Sequence, residues 1–308
     1  MSAFAVFCAL LFITNERGGT ITVLDSTTDK VTTTIATPGR PRGMATDGKS
    51  LYVAVSHFRD KPHPRPDEIV AIDIASRKIV RRYNGGTDPE GVAISPDGKR
   101  LVMSNEDAGT ASIVDVASGK TVAALVVGTE PEGVAVSHDG RIAYVTGETS
   151  NTVSVIDMKA AKVLTNFLVD ARPRAAIFMR DDTRAYVTSE IGGTISVVDA
   201  KHHRVLHRIR LGGTAHPVGM ALSPDEKRLY VATGRGNAVA IIDTATNKLL
   251  KSITVGQRVW GIALTPDGRK LYAANGLSND VSVIDTKADR VIATVKGGDG
   301  PWGALAVH

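Results

Sequence analysis

The stretch Pro131-Glu132-Gly133-Val134-Ala135-Val136-Ser137, followed by His138-Asp139-Gly140-Arg141, decides the fold. The first seven residues alternate in the period-two pattern of a half-buried strand. Asp139-Gly140 then supplies the positive-φ positions that a tight hairpin needs. Ala143-Tyr144-Val145-Thr146 reads as a second strand, Asn151 to Asp157 as a third and Lys162 to Phe167 as a fourth. Four short antiparallel strands in about 42 residues form a propeller blade.

The unit recurs along the whole chain. Aspartates ending a Val/Ile-x-Asp strand stand at 25, 73, 115, 157, 199, 243 and 285, spaced by 48, 42, 42, 42, 44 and 42 residues. The small residue of Pro-x-Gly keeps the same intervals at Gly43, Gly91, Gly133, Ala175, Gly219, Gly261 and Gly303. Two columns in register predict an all-β, seven-bladed β-propeller that occupies residues 1–308 as one domain. The C-terminal Pro301-Trp302-Gly303-Ala304-Leu305-Ala306-Val307-His308 reads as an inner strand only, and Leu11 to Asn15 as a second strand. Residues 303–308 are therefore expected to pair with residues 10–16, closing the ring and removing open sheet edges. The seven column aspartates are expected to cap the turns that follow them.

Composition agrees with this reading. The 308 residues are 43% hydrophobic and 22% charged, so the chain can build a core and is not a disordered polymer. Thirty glycines supply turns, and the single cysteine, Cys8, excludes an intrachain disulfide. The net charge of +5 is scattered rather than clustered, which argues against a nucleic-acid partner. No apolar run reaches the length of a membrane span. Residues 1–9 read either as the remnant of a signal peptide or as an apolar leader to the first strand.

The second strands Leu-Phe-Ile-Thr-Asn-Glu (11–16), Leu-Val-Met-Ser-Asn-Glu (101–106), Ala-Tyr-Val-Thr-Gly-Glu (143–148) and Ala-Tyr-Val-Thr-Ser-Glu (185–190) carry a resemblance. With Ser95-Pro96-Asp97-Gly98-Lys99 before and Val155-Ile156-Asp157 after, they resemble the YVTN-type β-propeller repeat family over essentially the whole chain. The glutamate-ended strands look most like periplasmic propeller proteins associated with pyrroloquinoline-quinone-dependent alcohol oxidation. That resemblance implies export to the periplasm and a binding or accessory role. Fold alone does not fix function.

Functional residues are expected where the blades differ. Residues preceding the Gly column are Arg42, Glu90, Glu132, Arg174, Val218, Trp260 and Trp302; two positions earlier stand Arg40, Asp88, Glu130, Arg172, His216, Arg258 and Gly300. Second strands end at Glu16, Ser56, Glu106, Glu148, Glu190, Gly234 and Gly276. These loops surround one end of the axis. The expected mouth combines an acidic sector (Glu90, Glu106, Glu132, Glu148), flanking Arg42 and Arg174, an aromatic wall of Trp260 and Trp302, and His216 and Arg258. The insertion 57–67 between the second and third strands of blade one brings His57, Arg59, His63 and Arg65 over the same mouth.

The functional reading is a small molecule or ion held at the central mouth of a monomer. The two tryptophans could stack a planar or sugar-like ligand. Four glutamates and two arginines leave a formal −2, which suits a divalent cation at the carboxylates. The structural counterpart is a ring of salt bridges, Arg42–Glu90 and Glu132–Arg174. Two further readings stand: a hydrolase or lyase using mouth carboxylates with His57 or His216, and a protein-interaction scaffold. The usual nucleophile, zinc and phosphate-loop motifs are absent. His202, His203 and His207, though metal-like in spacing, fall on an outer strand and its turn, away from the axis.

Overall fold

Seven four-stranded antiparallel sheets surround an axis in the computed structural model, which describes residues 9–58 and 66–307. The leader 1–8, the insertion residues Arg59, His63 and Arg65, and His308 lie outside the described residues. Blade three, the unit read first, has strands Pro131–Val136, Ile142–Gly147, Thr152–Asp157 and Lys162–Leu168, ordered from the axis outward. No helix is long and apolar enough to cross a membrane.

The strand patterns follow from position in the blade. Second and third strands are sandwiched between neighbouring blades on both faces, so both parities are buried. Outer strands have one exposed edge and alternate between half-buried and exposed residues, as in Arg290–Lys296. The core consists of seven clusters, one between each pair of adjacent blades. Tyr144, Val153, Val155, Phe178 and Val187 fill the wedge between blades three and four.

All seven strand-ending aspartates cap the following turn by accepting backbone N–H bonds. Asp115 accepts from Ser118 at 2.7 Å, and Asp157 accepts from Lys159 and Ala160 at 2.9 and 2.7 Å. Asp25, Asp73, Asp199, Asp243 and Asp285 do the same. Bonding to the ionised form holds Asp115 and Asp243 below the ordinary carboxylate range. This column is structural.

The Pro-x-Gly column has a packing reason. A Cβ on Gly133 would lie 2.2 Å from the Arg174 carbonyl oxygen, and one on Gly91 would lie 2.4 Å from that of Glu132. Only glycine lets adjacent inner strands approach so closely near the axis. Blade four carries Ala175 instead; it faces blade five, whose inner strand is cut to Met220–Leu222.

The ring closes as the repeat predicts. Pro301–Val307 is the inner strand of the sheet that continues through Leu10–Asn15, Thr20–Asp25 and Lys30–Ala36. The register runs Leu10 to Val307, Phe12 to Leu305 and Asn15 to Pro301. Blade seven is then pinned to blade six through Asp29, which accepts from Tyr272 Oη at 2.5 Å and Lys270 Nζ at 2.7 Å.

Candidate functional site

The backbone presents two kinds of side chain at the mouth, each for a local reason. The first is the middle residue of Pro-x-Gly. In six blades the pairing of inner and second strands skips at this point: Pro131 pairs with Gly147, and the next pair is Val134 with Val145. A bulge of this kind re-aims the extra residue, here toward the axis. The threonine or serine of the second strand anchors it. Thr146 Oγ1 accepts the Gly133 N–H at 2.9 Å, and Thr14 Oγ1 accepts the Gly303 N–H at 2.8 Å. The same hydroxyl also reaches the next blade: Ser104 donates to the Glu132 carbonyl at 2.6 Å, and Thr188 to that of Val218 at 2.8 Å.

The second kind comes from the two loops beside the bulge. Asp88, Glu130, Arg172 and Arg258 have φ of 46°, 52°, 62° and 56°, where L-residues carry a steric cost of about 1–2 kcal/mol. The preceding blade enforces this geometry. Asn151 accepts the Arg172 N–H at 2.9 Å, Asn237 that of Arg258 at 2.8 Å, and Asp67 that of Asp88 at 2.8 Å. Each left-handed residue then accepts, at its carbonyl, the N–H of the residue ending the second strand: Glu106 to Asp88, Glu148 to Glu130 and Glu190 to Arg172. The frame thus sets bulge and loop side chains side by side.

The resulting cavity has a volume of about 660 Å³. Its walls include the expected Arg42, Glu106, Glu132, Glu148, Arg174, Trp260 and Trp302, and also Glu16, Arg17, Arg40, Phe58 and Arg172. Glu90 is fully buried beneath Arg42, to which it is ion-paired. Arg258 stacks over the Trp260 ring at 4.0 Å and binds Glu190 at 3.0 Å.

Two ionic clusters face each other. In one, Glu16 takes Arg40 at 2.6 Å and Arg42 at 2.8 Å. Burial opposes its charge, but both guanidiniums overcome that and hold its carboxyl below the usual range. In the other, Arg174 binds Glu132, Glu148 at 2.7 Å and Glu190 at 2.7 Å, while Arg172 reaches Glu148 at 2.5 Å. Burial works against the Arg174 charge, and the three carboxylates more than reverse it. Glu190 is held below the ordinary range by Arg174, Arg258 and Arg172 against its own burial. Glu148 goes the other way: burial first, then its hydrogen bond to Glu132, push it up to about 8. The site thus favours the protonated form of Glu148, against the pull of Arg174 and Arg172.

The pairs Arg42–Glu90 and Glu132–Arg174 are present, as the salt-bridge reading expected. Glu16, Glu190, Arg40 and Arg172 stand in the same sequence columns, and Arg17 also joins the walls. Among the described residues the lining itself carries five arginines and four glutamates; Glu90 and Glu190, ion-paired to Arg42 and to Arg174, are outside it, so the expected −2, which counts Glu90 as a wall residue, does not carry over to the lining. For a cation, Asp88, Glu90 and Glu106 bring ligand atoms within 4.8 Å of one another, but Arg42 already sits on Glu90.

The histidines do not act as expected at the mouth. His57 is turned onto Asp67, with Nδ1 2.5 Å from Oδ1, and so braces the clamp that holds Asp88. His216 does not line the cavity; its carbonyl oxygen lies against Gly234, and its Nδ1 is buried without a hydrogen bond among the described residues. His202 binds Asp199 at 2.8 Å, and His203 meets the Tyr144 hydroxyl at 2.9 Å. Phe58, beside His57, is the described insertion residue that reaches the cavity. Trp260 and Trp302 stack at 6.4 Å between centroids, tilted by 29°, with Arg174 5.6 Å from the first ring and Arg42 5.9 Å from the second.

Comparison with known proteins supports the architecture. The family model described as "Lactonase, 7-bladed beta-propeller" matches residues 165–290, a stretch that holds Arg172, Arg174, Glu190, Arg258 and Trp260. No curated protein matches the chain. Among solved structures, Kuenenia stuttgartiensis hydrazine synthase is similar at TM-score 0.79 and 24% identity, over 91% of this chain and 93% of that one. A functionally unknown protein from Desulfotomaculum acetoxidans DSM 771 is similar at TM-score 0.83 and 17% identity, over 97% and 99%. At these identities the likeness concerns the fold.

Proposed function

We propose that this seven-bladed propeller binds a small organic anion with a flat or ring-shaped body at its central mouth. The observation that carries the reading is the wall of the 660 Å³ cavity: among the described residues it holds five guanidiniums, with Arg174 and Arg42 set over the stacked pair Trp260 and Trp302. Guanidinium groups pre-set in pairs suit a carboxylate or similar anion. The indole faces supply apolar area at low entropic cost. Burial and the hydrogen bond to Glu132 push the Glu148 carboxyl up to about 8, and its protonated form adds a donor that an ionised carboxylate lacks.

The two tryptophans are the only ones in the chain, so their emission reports on the mouth alone. Titration with benzoate, and with benzamide as its uncharged partner, tests the reading. Benzoate is expected to give a saturable change and to bind about tenfold more tightly than benzamide, the size of one charge-assisted hydrogen bond. Absence of a saturable response at millimolar benzoate, or equal affinity for the two, would overturn it.

A lactone-hydrolysing activity is a second reading, favoured by the Glu132–Glu148 pair and by the family match over residues 165–290. A carboxyl that holds its proton near neutral pH can protonate a leaving alkoxide, while its ionised neighbour takes a proton from water. Neither step uses His57 or His216. Turnover of a simple γ-lactone by the parent protein, lost in Glu148→Gln, would support it; no turnover by the parent protein would dismiss it.

A further inference from the structure

The mouth is the wide end of a longer shaft. Glu132, Arg174, Trp260 and Trp302 line both the mouth and a second cavity of about 220 Å³ along the axis. That cavity is walled mainly by the inner-strand glycines and by Met44, Val92 and Val134. The last three residues also line a third cavity, of about 720 Å³, at the opposite face. There the walls include Ile94, Phe178, Leu222, Leu264 and Leu305. The path is thus ionic at the mouth and aliphatic through the waist, and it opens at the other end into a rim where His138, Arg180 and Glu226 join the aliphatic walls.

The waist is bare for a reason unrelated to any ligand. Its glycines are required by contact between neighbouring inner strands, where a Cβ would strike backbone. Beyond them, the inner strands point aliphatic side chains at the axis. An apolar cavity of this kind holds water poorly, and its walls lack partner atoms on one side. An apolar chain entering it gains both terms.

We infer that the shaft accepts an unbranched apolar tail, so that the ligand of the mouth is an amphiphile with an anionic head. This rests on the anion-binding reading for the head and adds the class of molecule attached to it. The head sits among Arg42, Arg174 and the indoles. The tail runs past Trp260 and Trp302, which wall the top of the shaft, and down past Met44, Val92 and Val134.

Straight-chain carboxylates from butanoate to decanoate, kept below their micelle concentrations, test this by tryptophan emission. Affinity is expected to rise about fourfold per added methylene, from the free energy of burying one CH₂, until the shaft is full. Met44→Phe and, separately, Val134→Phe should flatten the series while leaving benzoate binding unchanged. A parent protein whose affinity does not depend on chain length overturns the shaft, whatever either variant does. So does a chain-length dependence that both folded variants retain. If benzoate binds but the series is flat, the shaft fails and the mouth stands. If the series is steep and benzoate does not bind, the anionic mouth fails and the shaft stands.

Discussion

Replacing Glu148 by Gln should remove a pH dependence of stability that the parent protein carries. Burial and the hydrogen bond to Glu132 raise the Glu148 carboxyl from the model-compound value of 4.5 to about 8. A raised carboxyl binds a proton in the folded state that the unfolded chain has already released. Its stabilising effect is complete below about pH 4.5 and is lost as pH climbs toward 8. For one proton the slope cannot exceed about 1.4 kcal/mol per pH unit, and solvent at the open mouth lowers it. At about 2 cal/mol/K of unfolding entropy per residue, 308 residues convert 1 kcal/mol into about 1.5 °C of Tm. The parent protein should therefore lose up to about 2 °C per pH unit between pH 5 and 8 relative to Glu148→Gln. The amide can still donate to Glu132 but cannot ionise. Thermal melts of both proteins at four pH values in this window isolate the effect, because every other titrating group is common to both. Parallel curves would refute the raised Glu148 carboxyl.

Other perturbations probe the frame and the charge network. Arg174→Met strips the shared cation from Glu132, Glu148 and Glu190; breaking a buried network costs about 3–5 kcal/mol, or about 5–8 °C in a thermal melt. Thr146→Val keeps the side-chain shape but leaves the Gly133 N–H without its acceptor, costing about 1–3 kcal/mol in a denaturant titration. Deleting residues 301–307 removes the inner strand of blade seven and exposes the edge of Leu10–Asn15; the product should partition into the insoluble fraction on expression.

The fold was legible because two sequence columns answer to backbone geometry that repeats identically. An aspartate ending a strand must cap the same turn in each blade, and a glycine beside the axis must admit the same neighbour. The candidate site was legible in part. The bulge column pointed to Arg42, Glu90, Glu132, Arg174, Trp260 and Trp302, and the structure brings all six to the mouth or directly beneath it. Glu16 and Glu190 stood in an equally visible column, but nothing in one blade's sequence shows that Glu16 will meet Arg40 and Arg42 of the next blade, or that Glu190 will meet Arg258 of blade six besides Arg172 and Arg174 of its own. Pairing across blades is a property of the ring. His57 misled because a histidine in an insertion looks like a lid residue, while its partner Asp67, ten positions on, ties it to the scaffold. Phe58 carries no motif and is found only from its place against the cavity.

The backbone frame lets the mouth vary without cost to the ring. Thr146, Ser104, Asn151 and Asn237 shape the frame through bonds to backbone N–H and C=O groups of the bulges and loops. The groups they hold are present whatever side chain the bulge residue bears. Glutamate, arginine and tryptophan therefore occupy equivalent positions in blades three, four and six on one backbone path. The left-handed residues show the corresponding cost. Blade seven uses Gly300 there, the least strained choice, while blades two, three, four and six retain Asp88, Glu130, Arg172 and Arg258. The strain is matched by contacts that glycine could not make: Arg172 binds Glu148 and Glu190, and Arg258 binds Glu190 and stacks on the Trp260 ring, so the left-handed residues of blades four and six tie the aromatic wall to the ionic cluster.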